Sequence, residues 1–202
     1  MRRICYRQGD GRENWSLLRV LLVRRQKSAE QFDAFAEDLL GERNARPLII
    51  IGASKVEELL GETLRAFLLP RRDKHQDELL EGDNPLSTFS ARTKICLRLG
   101  LIDATLYSAI DRLRILRNLS AHSVSFDHST SPARDHLGEL RRHIANRQSY
   151  DLTRERYFPT GALESVAELQ CLLLTLCVLL ESVRSKIKST SGNKAALRIA
   201  AK

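Results

Sequence analysis

The stretch ARPLIIIGASKVEELLGETLRAFLLP, residues 45 to 70, decides the fold. Its LIIIGAS portion, Leu48 to Ser54, is the one place in the chain where a buried strand could hide. The apolar residues that follow, Val56, Leu59, Leu60, Leu64, Phe67 and Leu68, recur three and four positions apart. That is the period of a helix rather than the alternation of a strand. The whole stretch is therefore expected as one helix that buries Ile51 together with those residues. Pro47 falls in its first turn, where a missing N–H costs little, and Pro70 stops it.

The same periodicity extends in both directions. Upstream, Ser28 and Gln31 make a capping box for a helix burying Phe32, Phe35, Leu39 and Leu40, closed by Gly41. Downstream, the charged run 71–84 is expected as a loop ending in turn residues. PLSTFSARTKICLRLGLI follows at 85–102, with Ser87 as candidate N-cap, Phe89, Ile95, Cys96 and Leu99 as inner face, and Gly100 as terminator. A helix beginning near Asp103 runs through Leu106, Ile110, Leu113 and Leu116 into RNLSAH at 117–122. After the polar loop SVSFDHSTSP comes a shorter helix over about 134–144, and then a long one over about 162–187. No stretch alternates with period two for long enough to make a strand. The expected architecture is all-α, an irregular bundle of five or six helices.

Charge is distributed unevenly. The net charge is +8, but residues 1–28 carry +6 and residues 184–202 another +6, leaving the centre at −4. The expected organisation is a basic, partly helical N-terminal segment at 1–28, a helical bundle at 29–188, and a basic flexible tail at 189–202. Any nucleic-acid footprint built on counterion release is then sought in the two ends or in a local arginine cluster such as Arg112, Arg114 and Arg117. The four cysteines, Cys5, Cys96, Cys171 and Cys177, show no C-x-x-C spacing, and three sit in apolar stretches where a free thiol packs as a small hydrophobe. A reducing, cytoplasmic setting fits them. The longest apolar run, Leu169 to Leu180, is twelve residues between Glu168 and Glu181, short of the roughly 20 that span a bilayer. It is read as a buried core helix, with no membrane partner and no export signal. Because that run is apolar nearly all round, a homodimer or larger oligomer is expected to cover what the bundle cannot.

NPLSTFSARTKICLRLGLID, with the downstream DRLRILRNLSAH and FD, resembles the mannitol operon repressor (MltR) family of small all-helical bacterial proteins. The residues that carry the likeness are Pro85, Leu86, Ser90, Arg92, Leu99, Gly100, Leu101 and Ile102, within a region of about 46–145. The resemblance implies transcriptional regulation without a recognisable DNA-reading motif, and the chain has neither a basic recognition helix in a helix-turn-helix nor zinc-finger spacing. It implies binding of another macromolecule, through a protein surface or through the basic ends, with no cofactor and no catalysis.

RNLSAH departs from that picture. Arg117 to His122 resembles the R-x4-6-H signature of HEPN domains, helical bundles that include metal-independent ribonucleases. Cleavage of RNA by its own 2′-hydroxyl needs a base near neutral pH and a cation beside the developing phosphorane charge, and His122 and Arg117 are such groups, with Asn118 as a third candidate. Residues 117 and 122 lie about 140° apart around a regular helix, so they converge only if the helix ends between them or a second subunit contributes one of them. Asn118 and His122, four apart, share a face. The structural alternative gives Arg117 a carboxylate partner, makes Asn118 part of the helix end, lets Ala121 permit close packing, and sets His122 against the negative helix terminus.

Other constellations are sparser. His136, Glu139 and His143 lie on one face of the expected 134–144 helix, a single copy with no second ligand helix, and no metal is assigned to them. Ser120, His122 and Asp127 are too local for a nucleophilic triad. Arg92 is a candidate anion-binding residue, with a salt bridge to Glu57, Glu58 or Asp111 as its structural alternative.

Overall fold

A computed structural model of the chain describes residues 30–68, 77–160 and 163–187. The described residues are helical, with no strand among them: α1 (30–41), α2 (Ala45–Phe67), α3 (Phe89–Arg98), α4 (Ala104–His122), α5 (Ala133–Ile144), α6 (Gln148–Tyr157) and α7 (Ser165–Lys186). Seven helices among the described residues stand against the expected five or six. The addition is α6, whose QSYDLTRERY sequence buries only Tyr150 and Thr153 and so carries almost no periodic signal. Packing onto α7 sustains it.

The chain divides into two compact units, Met1–Gly41 and Glu42–Lys202, and α1 falls in the first. Ala36 and Leu39 are its buried residues, while Phe32, Phe35 and Leu40 are only half-buried. Ser28, the first member of the expected capping box, lies outside the described residues, as do most of the two basic ends.

In the second unit α2 is one unbroken helix through LIIIGAS, capped by Asn44, whose side chain accepts the Arg46 N–H at 3.0 Å. Its buried stripe runs Leu48, Ile49, Gly52, Ala53, Val56, Leu59, Leu60, Leu64. Ile51, expected inside, is exposed: the inner register passes through Ile49 and Gly52, and Ile51 lies beside it. α2 packs along α7 on one side and α4 on the other, and α3 bridges α2 and α4. The close approach of α2 to α7 is made at Gly52, where an added Cβ would stand 2.7 Å from a Leu173 methyl.

α3 begins one residue later than expected, with Thr88 in place of Ser87 as N-cap, its hydroxyl accepting the Ala91 N–H at 3.2 Å. It ends at Gly100, whose φ of +69° lets the Leu101 N–H reach the Cys96 carbonyl (2.9 Å) and the Gly100 N–H reach that of Leu97 (3.0 Å). Leu99, expected on the inner face, sits at this cap and is exposed.

α7 is 22 residues long and is the described helix that by length and composition alone could cross a membrane. Its apolar run is used inside the protein: every residue from Leu169 to Cys177 is buried, as is Leu180, between α2, α5 and α6. Most of the apolar run that suggested an oligomer is thus covered within the chain, with Val178 and Leu179 half-buried. Cys96, Cys171 and Cys177 are free and buried, and burial pushes their thiols up to about 12, 11 and 12 respectively. They are packing residues, not nucleophiles.

Candidate functional site

RNLSAH forms the last turn and a half of α4. The helix starts at Asp103, whose carboxylate accepts the Leu106 N–H at 2.7 Å and pairs with Arg147 through both oxygens at 2.9 and 3.1 Å. Burial pushes that carboxyl up, but the Leu106 N–H and the Arg147 guanidinium more than offset it, leaving the group below the usual carboxylate range. Leu106, Ala109, Ile110, Leu113, Leu116 and Ser120 then form a continuous buried stripe.

The helix does not end between Arg117 and His122. It continues through His122 to a C-cap at Ser123, so Arg117 and His122 stay on different faces of one regular helix and do not converge within a chain. Asn118 and His122 do share a face. With Ile115, Leu119 and Ser123 they line an open depression of about 360 Å³. Its apolar floor is Ile115 and Leu119, both half-buried, and its polar edge is the Asn118 amide and the His122 ring.

Three of the four structural roles expected for the motif shift by a residue or change partner. Arg117 is exposed and donates to the Asn118 Oδ1 at 3.3 Å, with no carboxylate against it among the described residues. Asn118 lies a full turn before the helix end rather than at it. The small residue that packs closely is Ser120, fully buried with its hydroxyl donating to the Arg117 carbonyl at 2.9 Å, whereas Ala121 is exposed. His122 stands in the last turn of α4, as that alternative had it, and a second cation that the spacing does not reveal, Arg46 from the start of α2, donates to the carbonyls just past the helix, Ser123 (3.0 Å) and Val124 (3.4 Å).

The other candidate arginines, Arg92, Arg112 and Arg114, are engaged within the chain. Arg92 reaches Glu57, as one alternative had it, but through the backbone. Its Nη1 donates to the Glu57 carbonyl (3.3 Å), Nη2 to that of Leu80 (2.8 Å) and Nε to that of Leu86 (3.0 Å). Gly61 makes room for it, since a Cβ there would lie 3.3 Å from Nη1. Arg92 thereby ties the 77–88 turns to α2 and α3. Arg112 Nε lies 2.7 Å from Glu139 Oε2 at an angle that makes the contact an ion pair rather than a hydrogen bond. Its Nη1 lies 3.5 Å from His136 Nδ1. Arg114 pairs with Asp111 one turn earlier, at 2.8 Å. The face of α5 that carries His136, Glu139 and His143 is therefore occupied by Arg112, with Arg142 a second cation 3.6 Å from Glu139. Among the described residues no group of three or more His, Cys, Asp or Glu assembles to hold a metal.

The basic C-terminal region is in part internal too. Arg184 pairs with Glu62 at 2.8 Å and Glu181 at 2.6 Å, clamping α7 to α2.

No family model matches the chain, and neither does any curated protein. Two solved structures superpose on most of it. YggD of Shigella flexneri, a possible transcriptional regulator, is 18% identical with a TM-score of 0.54, over 75% of this chain and 98% of that one. MtlR of Escherichia coli, solved in complex with HPr, is 22% identical with a TM-score of 0.53, over 76% of this chain and 98% of that one. The chain has the fold of these proteins. At such identities the likeness is one of fold, and it spans nearly the full length of both neighbours.

Proposed function

We propose that the chain is a cytoplasmic transcriptional regulator of the MltR type that acts by binding another macromolecule, with no reaction at RNLSAH. The observation that carries the reading is the unbroken course of α4 through His122. It keeps Arg117 and His122 apart and leaves on the His122 side an open depression with an apolar floor. Such a surface suits a protein contact better than an enclosed reaction. The regulator-like fold neighbours point the same way, and MtlR, one of them, is bound to HPr. The first partner proposed for this chain is accordingly a protein, with a second copy of the chain as a further occupant of the α4 face. Nucleic acid is the partner proposed for the basic ends.

A second reading, a metal-independent ribonuclease, is favoured by one feature: Arg117 and His122 are both exposed, so a two-fold axis near the α4 terminus would bring Arg117 of one copy toward His122 of the other. One experiment separates the two. The wild-type chain, with a chelator present, is incubated with RNA and its retention on RNA and DNA columns is measured against salt. The same is done after deletion of residues 1–27 and 189–202. Regulation predicts intact RNA, and retention whose salt slope falls on truncation as fewer counterions are released. Cleavage abolished by His122→Ala and by Arg117→Ala establishes the ribonuclease instead.

A further inference from the structure

The loop after α4 carries a base to a nucleophile far from it in sequence. His128 Nε2 lies 2.8 Å from the Oγ of Ser165, the first residue of α7. In the tautomer that holds its proton on Nδ1, the ring accepts the Ser165 hydroxyl proton, the arrangement in which a serine is activated by a neighbouring base. The pair is open to solutes: Ser165 is exposed and the His128 side chain is 28% accessible. Asp127 Oδ1 stands 4.0 Å from His128 Nδ1, beyond hydrogen-bond reach. That oxygen is fixed by the Ser129 N–H at 2.8 Å and the Ser129 hydroxyl at 2.7 Å, which also hold the turn that presents His128.

The start of α7 adds donors. Glu164 is its N-cap but makes no side-chain capping bond, and the Glu168 N–H is the donor that reaches the Glu164 carbonyl, at 2.8 Å. The N–H groups of Val166 and Ala167 precede it and have no acceptor within the helix. A negative oxygen formed on a group attached to Ser165 would face them, as at the N–H that follows a nucleophile in a strand-to-helix elbow. Glu164 and Glu168 place negative charge beside the site, and Arg141 offsets that of Glu168 at 2.8 Å. That balance disfavours an anionic substrate.

We propose that Ser165 and His128 form a nucleophile and base pair that takes the acyl group of a small neutral carboxylic ester. Ser165 Oγ attacks the carbonyl carbon while its proton passes to His128 Nε2. The tetrahedral oxygen accepts from the Val166 N–H. The bond to the alcohol oxygen then breaks, and that oxygen leaves with the proton from Nε2, giving an ester on Ser165. Water attacks this ester with His128 again taking the proton. The carboxylic acid departs and the proton returns to Oγ. No oxidant, metal or cofactor enters the balance. This reaction is separate from the proposed regulatory role and stands or falls without it.

The test uses the full chain, a fluorophosphonate probe and 4-nitrophenyl acetate. The expected result is one probe adduct per chain, on Ser165, with nitrophenolate release that Ser165→Ala abolishes. His128→Gln should slow labelling on the order of 100- to 10,000-fold, with the far-ultraviolet helix signal unchanged. Absence of an adduct, an adduct elsewhere, or labelling of His128→Gln at the wild-type rate overturns the proposal. The 2.8 Å contact would then be a clasp that holds the loop to α7.

Discussion

Replacing Arg92 by alanine tests whether the arginine of the NPLSTFSARTKICLRLGLID stretch is a structural tie. Its guanidinium donates to three main-chain carbonyls, two in the 77–88 turns at 2.8 Å (Leu80) and 3.0 Å (Leu86) and one in α2 at 3.3 Å (Glu57). Hydrogen bonds from a charged donor contribute about 1.5–3 kcal/mol each, and the partial exposure of these bonds argues for the lower end. The Glu57 carbonyl lies inside α2 and keeps a helical partner, so it adds little. The bonds to Leu80 and Leu86 serve turn carbonyls and account for most of the effect. The loss on Arg92→Ala is then about 3 kcal/mol, or a fall in melting temperature of roughly 6–12 °C for a chain of this size. Arg92→Lys keeps the charge but not the planar fork, and should recover no more than half of that loss. Urea and thermal unfolding followed by circular dichroism measure both variants. A cost below about 0.5 kcal/mol for Arg92→Ala, the scale of an ordinary surface substitution, would refute the reasoning. So would a lysine variant as stable as wild type. An anion-binding role for Arg92 would be indicated if binding were lost while stability held.

Gly52→Ala should destabilise the bundle by about 1 kcal/mol, because overpacking against Leu173 costs about 1–3 kcal/mol while the better helix former returns up to about 1. In the double variant with Leu173→Ala the two costs should fall short of their sum, since the cavity receives the new methyl. Asp103→Asn keeps a capping side chain but loses the charge paired with Arg147, with a cost of about 1 kcal/mol or less at pH 7. Because the folded carboxyl titrates below its unfolded value of about 3.9, its contribution is complete above that value and is lost as pH falls through the folded one. Wild type and Asp103→Asn should therefore differ in melting temperature at pH 7 and converge in acid. His122→Ala and Arg117→Ala, both at exposed positions, should each change stability by about 0.5 kcal/mol or less, and a larger loss by differential scanning calorimetry would show that the motif carries packing the structure does not show.

Local physics determined much of what the sequence made legible. The apolar spacing after LIIIGAS makes α2 a helix because burying a 3.6-residue stripe is incompatible with a strand's alternation. The starts and stops at Asp103 and Gly100 follow from a carboxylate that accepts free N–H groups and a residue that tolerates φ of +69°. The cysteines read as packing thiols, and RNLSAH as the end of a helix, for reasons equally local. Tertiary structure alone decided the rest. α6 has too few apolar residues to announce itself and exists because α7 offers it a surface. Ile51 and Leu99 are as apolar as their buried neighbours, and only the positions of the other helices leave them outside. The partners of Arg92, the reach of Arg46 to the end of α4, and the meeting of His128 with Ser165 join residues 35, 77 and 37 positions apart. Periodicity states which side of a helix is inward but not what stands opposite it, because that depends on how distant segments share one core. A charged or polar side chain at such a boundary takes whichever carbonyl, carboxylate or hydroxyl the packing delivers.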